Sequence, residues 1–343
     1  MPLPQRGPYE AYEGIYPGRA GKNWGWASLY TSLTKSLCLG IFKTSTLHTD
    51  MEDKEIKDIK VETPEGNEGL EPLEMAGPEI LKPPQRIMIR LPSRHNPKLQ
   101  QIIDRVNGDD ELYTLWQVAN VNAVQRLGMS DHGPVHVQIV ANIALKVLRL
   151  LLDQSVQPSL VINHNLATED AEVVVVLASL LHDLGMSIHR IDHEQYSLLL
   201  AKSKVRELLV GIYDIATMTI LTSEILHAII SHRVGGKPLT LEAGIVRVAD
   251  ALDMAEGRSR IPFQAGKVNI HSVSAASIEQ IKIEQGEGKP IRIVARMSNS
   301  AGIFQLDELL KEKLEGSGLE SYVEVEAMIE GEAEKKLIQT FRI

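Results

Sequence analysis

The chain has 343 residues and a mass of 38.0 kDa, room for about two domains of ordinary size. A formal charge of -9 excludes general coating of a phosphate backbone, and 4% aromatics exclude base-stacking platforms. The single cysteine, Cys38, excludes an internal disulfide and a cysteine-rich zinc site, and no unbroken apolar run nears the ~18 residues of a membrane span, so a cytoplasmic protein is expected.

Residues 1–50 carry Trp24, Trp26 and several tyrosines among Gly and Pro without a period, and are expected to form a disordered extension. Residues 51–96 read as a linker, with five prolines among like-charged glutamates over 60–85, and Arg86 to Leu91 as a strand within it. Residues 97–262 are helical. Asp110 is expected to cap a helix ended by Gly128, and Gly133-Pro134 opens the next, with Ile139, Val140, Ile143, Ala144, Val147 and Leu151 on its buried stripe. Thr168 is expected to cap a helix that is apolar almost all round from Ala171 and therefore central. Further helices are predicted over Ile215 to His232 and Leu241 to Glu256. Residues 263–343 alternate as strands around one helix, in the order β-β-α-β-β. The fold class is thus mainly α, a helical bundle with a C-terminal α+β domain.

Histidine points to chemistry. Eight of the 11 histidines lie between His132 and His232, and histidine is the commonest metal ligand. His182-Asp183 ends the apolar helix, where an ionisable pair needs partners, and a metal supplies them. His136 lies in the first turn of its helix on the core-facing side. Asp250 follows Val246 by one turn on an apolar helix, where a lone carboxylate is costly. Nitrogen and oxygen ligands without thiolate suit Mn, Fe, Co, Ni, Zn or Mg. Asp253, one turn further, is placed to orient a ligand or a water. Arg233, Arg247 and Arg258 are candidates to hold a substrate phosphate. Arg247 has a second reading as an i, i+3 partner of Asp250.

Three segments carry a family resemblance. His136 to Ala141 resembles the first ligand helix of the HD-domain metal-dependent phosphohydrolases. Leu180-Leu181-His182-Asp183-Leu184-Gly185 resembles the element that names them. Val248 to Asp253 resembles their last ligand helix. The order His, His-Asp, Asp is the superfamily's, over about residues 126–260, and the whole chain is similar to uncharacterised HD proteins of microbes. His193 to Ser197 resembles the histidine-x-x-x-small element of two-metal members, although its gap from His182 is shorter than in many. His232 resembles their next histidine. His132, His189 and His227 stand as substitutes or supports.

The resemblance implies one or two divalent ions, with Asp183 as the residue placed to bridge two. It also implies hydroxide attack on a phosphomonoester or phosphodiester, as in a nucleotidase or phosphodiesterase. The partners implied are a small phosphorylated substrate of nucleotide type, no membrane, and a homo-oligomer. Two alternatives remain open: a di-iron oxygenase using the same ligands, and a non-catalytic regulatory module. The C-terminal domain is expected to provide an assembly surface or lid and no ligand.

Overall fold

The structure, a computed structural model, describes residues 86–254, 270–329 and 340–342. The readings of residues 1–50 and 51–85, and of Arg258, lie outside these residues. The described residues all belong to one compact unit, 79–343.

Residues 86–91 form no strand. The Asn107 side chain takes the place of a neighbouring strand instead: its oxygen accepts from Ile89 N at 2.7 Å and its amide donates to Ile89 O at 2.9 Å. Helix α1 (Pro97–Gly108) is capped by Asn96. Helix α2 (Asp110–Asn120) is capped by Asp109, one residue earlier than the sequence suggested, because its carboxylate takes Leu112 N at 2.9 Å. It runs on as a π-helical turn, Val121–Arg126, and the chain reverses at Gly128 with φ 63°.

Helix α3 (Pro134–Asp153) opens at Gly133 as expected. Its buried stripe is Val137, Val140, Ala141, Ala144, Leu148 and Leu151, and Ile139 falls beside it, 36% exposed. Among the described residues α3 is the helix long and apolar enough to cross a membrane. Its apolar face instead packs against two other helices of the bundle, Thr168–Leu181 and Leu241–Leu252.

After the short α4 (Ser159–His164) comes α5 (Thr168–Leu181), in which every residue from Asp170 to Leu181 is buried. Its cap is Ala167 rather than Thr168, since Asp170 reaches back to accept from Ala167 N at 3.1 Å. Two carboxylates at this end are also paired. Lys98 Nζ and the Tyr213 hydroxyl meet Asp170, while Arg149, Asn96 and His95 meet Glu172. Burial would raise the Glu172 pKa, but those partners outweigh it and hold it below the usual range. Helices α6 (His193–Leu209), α7 (Ile215–Ser231) and α8 (Leu241–Leu252) complete the bundle, with α3, α7 and α8 packed on α5.

The C-terminal part begins with α9 (Ile270–Ala276) and strands β1 (Ile278–Gln285) and β2 (Ile291–Met297). Helix α10 (Gly302–Gln305) continues through a π-helical Leu306–Lys311 to a last turn, Glu312–Leu314. Strands β3 (Val323–Ile329) and β4 (Thr340–Arg342) follow. The sheet order is β1-β2-β3-β4, antiparallel except for parallel β2 and β3, and a parallel pair needs the helical crossover that α10 provides. Ile291, Ile293 and Ala295 face Val323, Val325 and Ala327 in register, and one hydrophobic cluster runs from the bundle into the sheet.

One buried carboxylate is half satisfied. Glu242, in the first turn of α8, accepts from Leu160 N through Oε1, while Oε2 is buried without a partner. Burial pushes its pKa up from 4.5, so the folded chain holds this proton longer than the unfolded one. A raised carboxyl pKa withdraws stability as pH rises above the unfolded value. Glu242→Gln is therefore expected to gain on the parent in denaturant melts as pH rises above 4.5. Parallel stability curves would contradict this.

Candidate metal centre

Five helix ends converge. His136 is the third residue of α3, and the Asp131 carboxylate caps that end, accepting from Gly133 N at 3.1 Å and His136 N at 3.2 Å. His182 and Asp183 follow the last turn of α5, whose position is pinned by Trp116 Nε1 donating to Leu180 O at 2.9 Å. His193 is the first residue of α6. The Ser197 hydroxyl, one turn on, donates to His182 O at 2.5 Å and accepts from Gly185 N at 2.8 Å. His232 follows α7, and Asp250 lies in the last turn of α8.

Asp183 stands in the middle. Its Oδ2 lies 3.4 Å from His136 Nε2 and 3.3 Å from His182 Nε2. Its Oδ1 lies 3.2 Å from His193 Nε2 and 3.9 Å from His232 Nε2. Asp250 Oδ1 joins the first group, 3.5 Å from His136 Nε2 and 3.6 Å from His182 Nε2. Ligand atoms of His136, His182 and Asp250 lie within 4.8 Å of one another, as do those of His182, Asp183 and His232, and those of His193, Glu194 and His232. Glu194 was not among the sequence candidates, because a surface carboxylate at a helix start is ordinary. Side-chain exposure is at most 7% for the four histidines and Asp183 but 21% for Asp250, so the centre opens beside Asp250.

The ring orientations fit metal ligation. His182 Nδ1 meets Ser179 O at 2.8 Å, His232 Nδ1 meets Ile229 O at 2.6 Å, and His136 Nδ1 meets Asp253 Oδ2 at 2.6 Å. An oxygen acceptor on Nδ1 places the proton there and turns the Nε2 lone pair to the centre, as in metal-ligating histidines. His136 Nε2 and His182 Nε2 then face each other at 3.2 Å, which requires a proton or a cation between them. Burial works against charging His182, but the Asp183 and Asp250 carboxylates outweigh it and push its pKa up to about 10. Burial opposes ionising Asp183 and Asp250 too. His182 above all holds Asp183 well below the usual carboxylate range, and Lys313 with His182 does so for Asp250. A divalent ion would take the place of that shared proton, and its uptake would release it. Burial, with the charges of His182 and Lys313, keeps His232 neutral, ready to donate its lone pair.

Other candidates fall elsewhere. His132 packs at 5.5 Å from the His136 ring, with Nδ1 on Ser130 O at 2.7 Å. His189 is exposed and accepts from Ile191 N. His227 accepts from Leu239 N at 3.0 Å and joins none of the three ligand groups. Arg233 is exposed. Arg247 is not placed to hold a substrate phosphate. It is 2% exposed, and its guanidinium donates to the carbonyls of Ser231, Arg233, Glu312 and Lys313. Four main-chain acceptors, from the end of α7 and from Glu312 and Lys313, engage all three guanidinium nitrogens. Lys313, from the C-terminal part, reaches the centre, with Nζ bonded to His232 O and 3.4 Å from Asp250 Oδ2. The expectation for this part concerned ligands, and Lys313 is in none of the ligand groups, but it brings the C-terminal part against the centre.

The HD domain family matches residues 135–255, a span that holds every ligand named above. The chain is similar to an uncharacterized protein of Methanocaldococcus jannaschii, 44% identical over 233 residues, covering 68% of this chain and 90% of the relative. No solved structure matches.

Proposed function

The chain belongs to the HD-domain family of metal-dependent hydrolases, and from that premise we propose that it is a phosphohydrolase acting on a small phosphate ester, of nucleotide type. The observation that supports this most is the division of Asp183, one oxygen toward His136 and His182 and the other toward His193 and His232. A carboxylate so shared suits two cations a bridge apart, the arrangement that clamps both oxygens of an in-line displacement at phosphorus. Bound divalent ions would supply a hydroxide near neutral pH and neutralise phosphate oxygens. His136, His182, Asp183 and Asp250 would hold one ion; Asp183, His193 and His232, with Glu194 beside them, would hold a second. The protein's own contribution is orientation: Asp253, Ser179 O and Ile229 O fix the imidazole rings. The opening beside Asp250 admits the ester.

The test is metal analysis of purified protein, followed by a panel of phosphomonoesters and phosphodiesters with Mn²⁺, Co²⁺ and Mg²⁺. Metal-dependent release of phosphate or alcohol is the expected result. Iron with oxygen consumption and no ester hydrolysis would replace the reading with oxygenase chemistry, and a protein that takes up no metal would make it a regulatory module. His193→Ala is expected to lower metal content by at most one ion per chain, leaving the His136, His182 and Asp250 group loaded. Loss of all metal in that variant would contradict two separable groups.

A further inference from the structure

Asp250 needs more than the histidines to hold its place. The outer torsion of an aspartate is broad and roughly twofold, so a carboxylate held through one oxygen can swing. Oδ1 of Asp250 faces His136 and His182, and Oδ2 faces the Lys313 ammonium. Lys313 also donates to His232 O, so one side chain touches two of the candidate ligands from outside.

The segment carrying Lys313 is itself held to the bundle. Gly244, Arg247 and Asp250 share one face of α8 at three-residue spacing. A Cβ at Gly244 would lie 2.1 Å from Ser317 O, so only glycine lets that chain approach. Arg247 donates through Nε to Lys313 O at 2.9 Å and through Nη2 to Glu312 O at 3.1 Å. Its Nη1 meets Ser231 O and Arg233 O, on either side of His232. The π-helical Leu306–Lys311 just ahead sets the angle at which Lys313 leaves the helix, inward and 9% exposed, while Lys311 pairs with Asp307 at the surface.

We propose that Lys313 is a positioning residue of the metal centre, fixing the Asp250 carboxylate, so that the HD bundle is completed by the C-terminal α+β part. This rests on the centre binding a divalent ion and not on which ester is cleaved.

The experiment uses the full chain with Co²⁺ as probe, because its visible absorption reports ligand geometry. Lys313→Met keeps the stem and removes the charge and the donors. It is expected to weaken Co²⁺ binding by about tenfold, the lower range for loss of a group that orients a ligand, and to shift the absorption bands. Lys313→Arg, which keeps the charge, should recover most of the affinity. If the Met variant does not fold, Lys313→Gln carries the comparison, since it keeps a donor for His232 O while dropping the charge toward Asp250. Wild-type affinity and spectrum in the neutral variant overturn the proposal. So does tighter binding, which would make Lys313 a mere counter-charge competing with the ion. If the parent binds Co²⁺ but cleaves no ester, the hydrolase reading fails and this one stands; if the parent binds no Co²⁺, both fail.

Discussion

Asp183→Asn is expected to lower metal-dependent turnover by at least about a hundredfold, equivalent to ~2.8 kcal/mol of barrier at ~1.4 kcal/mol per tenfold. The substitution keeps the shape of the side chain and removes its anionic charge. Both oxygens of Asp183 face imidazole nitrogens, so each group loses at once the one charge they share. A weaker negative field raises the pKa of a bound water and loosens the ions. Metal per chain should fall together with turnover, which separates this outcome from a change confined to substrate binding. Burial of Asp183 adds a second consequence. Its carboxylate, more than that of Asp250, lifts His182, so the Asn variant should lose the proton held between His136 and His182 at lower pH than the parent does. Histidine NMR titration of the metal-free protein reads this directly. A variant with full metal content and full turnover would end the hydrolase reading.

The residues that meet at the centre were legible for a common reason. His136, His182-Asp183 and Asp250 interrupt apolar helices, and a charge on a buried face must have a partner. Periodicity could therefore place them before any distance was known. Helix α6 was less legible because its buried residues begin with His193, Ser197, Ala201 and Lys204, small or polar, and turn apolar only at its end with Val205, Leu208 and Leu209. Its first turns bring Ser197 and His193 against the end of α5, while Val205, Leu208 and Leu209 at its other end pack into the core.

Arg247 shows the opposite failure. Its spacing from Asp250 suggested a phosphate ligand or an ion pair, and neither is made, because the carbonyls that occupy it come from residues 66 positions away and from the far end of α7. Lys313 is harder still. Lys311 and Lys313 look alike in the sequence, and a π-helical turn together with docking on Gly244 decides that one is at the surface and the other inside. Arg86 to Leu91 alternates well enough for a strand, yet a single asparagine side chain satisfies Ile89 without a second strand. In each case the deciding partner is distant in the chain, and local pattern carries no record of it.

Gly185→Ala is expected to unfold the centre as well as weaken the protein. In the sequence this glycine closes the segment Leu180 to Gly185 that resembles the HD element; in the structure it lies within a 3-10 turn, Leu184–Ser187, between His182-Asp183 and α6. An added Cβ would fall 1.9 Å from His193 O and 2.6 Å from Ser197 N, both main-chain atoms at the start of α6. No rotamer change relieves a clash with backbone, so α6 must move outward. Overpacking costs about 1–3 kcal/mol, with a backbone clash at the upper end, and at roughly 2 °C of Tm per kcal/mol, the low end for large domains, the fall is about 6 °C. The same movement draws His193 away from Asp183 Oδ1 and breaks the Ser197 bridge between His182 O and Gly185 N. Metal content and turnover should thus drop even at temperatures where the variant is still folded by circular dichroism. Ser197→Ala provides the comparison: it removes the hydroxyl without a clash, so its loss of stability should be smaller, about 1–3 kcal/mol for two buried hydrogen-bonding groups left unmet. Equal melting temperatures for the parent and Gly185→Ala would show that α6 does not pack against this turn as described.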